Sequence, residues 1–183
     1  MNWFNTLAIL VVAYLLVWLQ ATFNEFRHLL GVQIDLLPSL VVYSALSSGI
    51  VGLTLVCVCS GLWFDSLSAS PLGVSLLPLF LVGLFIQRSR EFILRDQTYA
   101  QMLMGFGASA AVPFLTVLLL FNLDVRPMVG WFSLWQWLVM SVAGALMTPL
   151  WFGFFEWIGH ALNYRPLGET SFRPDREIKR GRD

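Results

Sequence analysis

Apolar residues in this chain come in long unbroken runs, with short polar stretches between them. Residues 3–19 carry no charge, and the first strongly polar side chain after them is Gln20. A second uncharged run covers residues 36–64, a third begins at Pro71, a fourth covers 100–121, and the last starts at Trp131 and reaches His160. None alternates with the period of two that a half-buried strand needs, so each run predicts helix. Most are long enough to cross a bilayer, where only helices or closed barrels satisfy the backbone.

The stretches between the runs are short and amphiphilic. Residues 21–35 hold Glu25, Arg27, His28 and Asp35 among Phe23, Phe26, Leu29 and Leu30, a pattern suited to a helix lying in the membrane interface. Residues 87–99 hold Arg88, Arg90, Glu91, Arg95 and Asp96, and a second interfacial helix is expected there, with Arg88, Glu91 and Arg95 on one face. Asp124, Arg126 and Pro127 mark a loop before the last run. The tail from residue 163 is polar.

Composition strengthens this picture. The chain is 57% hydrophobic and 12% charged, with a mean hydropathy of +0.73, against about a quarter charged residues in a soluble domain. Net charge is zero, and six of the eleven basic residues lie in the last 19 positions, so no basic face for nucleic acid exists. Placing the arginine-rich stretches in the cytoplasm orients the chain. It does not settle the 29 residues of 36–64, which are long for one span and short for two. With two short spans broken at Ser47-Ser48-Gly49, nine basic residues fall inside and two outside; with one tilted span the split is ten to one.

Small residues predict close helix contacts. Gly105 and Ser109 in the fourth run, and Ser141 with Ala145 and Gly144 with Thr148 in the last, form small-xxx-small pairs that suit partner helices. Pro113 and Pro149 are expected to bend their helices. Trp131, Trp135 and Trp137 at one end of the last run, and Trp151 and Trp157 at the other, predict aromatic belts roughly 39 Å apart.

The chain is poor in reactive groups. Its only histidines, His28 and His160, fall at the edges of the runs, so no Ser–His pair is expected at membrane depth. Cys57 and Cys59 lie two apart in an apolar run and read as small buried hydrophobes. No phosphate loop, HExxH or metal-ligand cluster is present. The reading is therefore a non-enzyme, with no catalytic residue, cofactor or metal. Glu156 and His160, four apart, read as interfacial side chains.

One stretch is not generic. Residues 61–73 place Asp65 at the end of an apolar run, follow it with the serines Ser66, Ser68 and Ser70, and enter the next run through Pro71-Leu72-Gly73. A bare carboxylate in hydrocarbon costs several kcal/mol, so Asp65 is expected either to cap a helix end, with Ser66 and Ser68 satisfying the turn, or to anchor a partner.

The order of features resembles the rod-shape-determining membrane protein family MreD. The likeness rests on an early span, a Pro-containing run with a tyrosine (Pro38, Tyr43), Gly61-x-x-x-Asp65 with Ser68, and Leu72-Gly73 eight residues after the aspartate. An arginine-bearing loop and a last span with Pro149, Leu150 and Trp151 complete it. The resemblance implies an all-α six-helix bundle like the substrate-binding component of energy-coupling-factor transporters, with short helices 2 and 3. The spans would lie near 3–20, 36–47, 49–65, 71–87, 100–122 and 131–160, in one domain ending near 162, before a cytoplasmic tail.

It further implies a bacterial inner-membrane protein with both termini in the cytoplasm, a non-catalytic subunit of the rod complex that builds the lateral wall. Its partners would be MreC and, with it, a SEDS glycosyltransferase and its penicillin-binding transpeptidase, with MreB beneath. Membrane lipids are expected around it, and no nucleic acid. The candidate partner-binding residues are Gly61, Asp65, Ser68 and Gly73. The alternative is a vitamin-binding transporter subunit, for which the outer polar candidates are Glu25, Arg27, His28, Asp35, Asp65, Asp124 and Arg126.

Overall fold

A computed structural model of the chain describes residues 3–22, 35–68, 71–90, 97–123 and 130–161. Within them the chain forms α1 (Trp3–Thr22), α2 (Leu37–Ser47), α3 (Ile50–Leu67), α4 (Leu76–Ser89), α5 (Thr98–Asn122) and α6 (Trp131–Ala161), and no strand. Four of these, α1, α3, α5 and α6, are long and apolar enough to cross a membrane. The architecture is that of an all-helical protein compatible with a membrane setting.

The uncharged run 36–64 is two helices. Ser48 and the N-cap Gly49 adopt extended backbone between α2 and α3, and the Ser47 hydroxyl bonds back to the Tyr43 carbonyl at 2.7 Å. At its other end α2 starts with Pro38 in the first turn, where a missing N–H costs nothing, and Asp35 Oδ1 accepts the Leu37 N–H at 2.9 Å.

The shortest helix is the hub of the fold. Every residue from Leu37 to Leu46 is buried, and α2 packs against all five other helices. A helix apolar on all sides is stable only where all sides are covered. Ser39 and Tyr43 fix its depth against α6: Trp151 donates its indole N–H to Ser39 Oγ at 3.0 Å, and the Tyr43 ring stacks on Phe155 at 4.3 Å. α2 therefore runs parallel to the C-terminal part of α6. The 20 residues of α6 before Trp151, roughly 30 Å of helix, lead up to the level of α2's first turn.

Several expectations need correction. The short helices are α2 and α4, not the second and third, because residues 71–75 form a turn and α4 begins only at Leu76. The small-residue faces meet each other rather than a partner. A Cβ on Gly105 would overlap Thr148 Oγ1 and lie 2.5 Å from the Gly144 carbonyl; one on Gly144 would overlap Ser109 Oγ. Trp151 turns inward to Ser39 instead of joining a belt, whereas Trp131, Trp135 and Trp157 are exposed. The interfacial helices expected in 21–35 and 87–99 fall largely on residues 23–34 and 91–96, outside the described residues, as do Glu25, Arg27, His28, Ser70, Asp124, Arg126 and the tail.

Candidate functional site: the Asp65 hairpin

α3 carries Asp65 in its last turn, and the chain returns into α4 eleven residues later. The Asp65 carboxylate is buried, 1% exposed, and turned toward that return. Its Oδ2 accepts the Gly73 N–H at 2.7 Å, and the Ser75 N–H reaches both carboxylate oxygens at 3.3 Å. Ser75 immediately precedes α4, so the aspartate binds backbone N–H groups of the chain entering that helix, beside its positive dipole end. A buried carboxylate is tolerable here because the backbone replaces its water.

The two glycines play different parts. Gly73 has a φ of +93°, in the left-handed region that L side chains rarely adopt, while a Cβ there would meet nothing within 4 Å. Its requirement is conformational. Gly61 is a spacing requirement, since a Cβ would stand 2.7 Å from Leu76 Cα and 2.9 Å from Leu76 Cβ. Gly61 brings α3 against the first turn of α4, and Asp65, one turn further on, binds the chain entering it.

Ser66 takes no part in the turn: its hydroxyl bonds to the Trp63 carbonyl at 2.8 Å within its own helix. Ser68 ends α3, its N–H reaching the Phe64 and Asp65 carbonyls at 3.0 and 3.3 Å. All four candidate partner-binding residues thus belong to one hairpin, but Gly61 and Asp65 are covered. The outward surface is Ser66, Leu67, Pro71 and Leu72, with Leu72 72% exposed. The sequence flagged the residues that hold the hairpin. It gave no weight to Leu67 and Leu72, nor to Ser75, whose contribution is a backbone N–H.

Asp35 repeats the device at α2. Burial pushes its carboxyl up to about 6 from an ordinary 3.8, against the lowering effect of the Leu37 N–H it accepts, and the Gln20 side chain of α1 lies alongside. The two short parallel helices therefore each begin beneath an aspartate. Glu156 and His160 are both exposed near the C-terminal end of α6. Cys57 and Cys59 are free thiols. Among the described residues no group of three or more His, Cys, Asp and Glu side chains comes together. No protein-family model, curated protein or solved structure matches the chain.

Proposed function

We propose that this chain is an MreD-like, non-catalytic membrane subunit of the machinery that builds the lateral cell wall of a rod-shaped bacterium, presenting the α3–α4 hairpin to a partner such as MreC. The observation that supports the reading is the cooperation of Gly61, Asp65 and Gly73, the residues that carry the resemblance. Asp65 and Gly73 are joined by a hydrogen bond, Gly61 sets the helix spacing one turn away, and the outward side of the hairpin offers Leu67, Pro71 and Leu72. On this reading Asp65 is a positioning residue. It holds the apolar tip in place and meets no partner directly, and both termini lie in the cytoplasm.

The test is depletion of the protein in its own bacterium, with microscopy of cell shape with and without vitamin supplements. Rounded cells that no vitamin rescues are expected, together with co-purification of MreC that Leu72→Asp weakens while membrane insertion persists. Normal shape with a growth defect cured by one vitamin would replace the proposal with a transporter subunit.

A further inference from the structure

The two sides of α4 differ in kind. Leu79, Val82, Gly83 and Ile86 are buried against the bundle. Leu77, Leu81, Phe85 and Arg88 follow one another at spacings of four, four and three, so they share the outward face, and all four are exposed. Phe85 stands furthest out, at 74% exposure. At 1.5 Å per residue the stripe from Leu77 to Arg88 is roughly 16 Å long. One leaflet of a bilayer holds about 15 Å of hydrocarbon, half of the full core. The apolar part of the stripe therefore has the depth of a single leaflet.

The stripe ends in charge. Arg88 lies in the last turn of α4 and Arg90 caps the helix, and both are exposed. They are the only lysine or arginine side chains among the described residues, and no described carboxylate pairs with either. Glu91, Arg95 and Asp96 lie outside the described residues, and the stretch 88–96 as a whole holds three arginines against two acids. The negative dipole end of α4 amounts to about half a charge, too little to neutralise two guanidinium groups. An anion is the complementary partner. α1, α3 and α5 have no basic residue in their last turns, so this ending is particular to α4 and not a general property of the apolar helices. An acidic protein segment could meet the arginines alone. A phospholipid joins a phosphate to an acyl chain in the order and at the length that the stripe presents.

We propose that the outward face of α4 binds an anionic phospholipid, its acyl chain along Leu77, Leu81 and Phe85 and its phosphate on Arg88 and Arg90. Guanidinium groups suit this task because they present several N–H donors to phosphate oxygens and are weakly hydrated. The site lies at the opposite end of α4 from the Asp65 hairpin and is independent of the wall-building role.

The experiment uses the full chain, delipidated in an uncharged detergent, with thermal unfolding followed by tryptophan fluorescence. It is titrated with phosphatidylglycerol, with phosphatidylcholine of the same acyl chains, and with glycerol phosphate. Phosphatidylglycerol is expected to raise the midpoint saturably, by about 3–5 °C at ten times its half-saturating concentration, while the other two have little effect over the same range. Arg88→Ala and Arg90→Ala should each raise the half-saturating concentration about fivefold, and the double variant about thirtyfold. Both side chains are exposed, so the variants should fold as the wild type does. Phe85→Ala should weaken the lipid effect while leaving both arginines in place. An equal rise with phosphatidylcholine would overturn the proposal, since the lipid would then be held by its chains alone. An equal rise with glycerol phosphate would overturn it in favour of a soluble anion. A phosphatidylglycerol effect that the double variant retains unchanged would also overturn it, leaving the arginines to an acidic protein partner.

Discussion

Where α3 turns back into α4 the contact is made by a close approach and a carboxylate; between α5 and α6 it is made by the removal of side chains. In the first pair Gly61 lets the helices touch at Leu76, and Asp65 then ties the returning backbone by the N–H groups of Gly73 and Ser75. In the second pair Gly105, Ser109, Gly144 and Thr148 interdigitate, and no charged side chain enters the seam. Hydrogen bonding sets where α4 begins, so that contact is local and directional. Close packing is distributed over two turns and tolerates no added volume. In lipid, where apolar burial drives little association between helices, both are effective means of holding helices together.

The sharpest way to break this contrast is to add volume to the α5–α6 seam. Gly144→Leu places a branched side chain where even a methyl group overlaps Ser109 Oγ. The expected cost is about 3 kcal/mol or more, read as loss of a monodisperse species in detergent and of cooperative unfolding. Gly107→Leu, on the partner helix α5 at a position where a Cβ meets nothing within 4 Å, is the control and should fold normally.

Changes at the hairpin should cost less and remain local. Asp65→Ala leaves the Gly73 and Ser75 N–H groups without their acceptor, at about 2–3 kcal/mol. Gly73→Ala forces a methyl group into a φ of +93° and should cost about 1–2 kcal/mol, with no steric term because the space around it is open. Thermal midpoints in detergent measure both. A Gly73→Ala loss as large as that of Gly144→Leu would mean that space, not backbone conformation, limits this position. The double variant of Asp65→Ala with Ser109→Leu tests whether the two contacts are separate: additive losses are expected for sites that share no partner.

Much of this was legible in the sequence, and the misses have physical reasons. Helix positions followed from uncharged runs, because lipid allows a continuous apolar stretch few alternatives. The Asp65 turn was visible because a carboxylate beside Gly and Pro breaks that rule conspicuously. The centrality of α2 was not visible. An uncharged stretch of eleven residues looks the same whether protein or lipid covers it, and only the partners of Ser39 and Tyr43 decide the matter. The small residues announced close packing but not with whom, since Gly105 and Gly144 suit a partner subunit as well as each other. Trp151 looked like a belt residue because indole nitrogens favour the interface; a hydroxyl on α2 satisfied it inside.

The smallest expected effect separates the two aspartates. Asp35 caps α2 as Asp65 caps the turn into α4, but burial raises the Asp35 carboxyl to about 6, so its charged form is disfavoured in the fold. In the unfolded chain the same group titrates near 3.8. Between those values the folded protein binds the proton more tightly, so the contribution of Asp35 to stability is fully present below about pH 4. It is lost as pH rises through about 6 and changes no further above that. The loss should be about 1–2 kcal/mol, reduced from the full linkage value because the residue is only half-buried. Asp35→Asn keeps an oxygen for the Leu37 N–H and removes the titration. Its thermal midpoint should be flatter between pH 4 and 6 than that of the wild type, and at pH 7 equal or higher. A variant that is less stable at pH 7 and keeps the wild-type pH slope would show that the Asp35 charge stabilises α2 as fully as the Asp65 carboxylate serves α4. The two ends of the short-helix pair would then be equivalent.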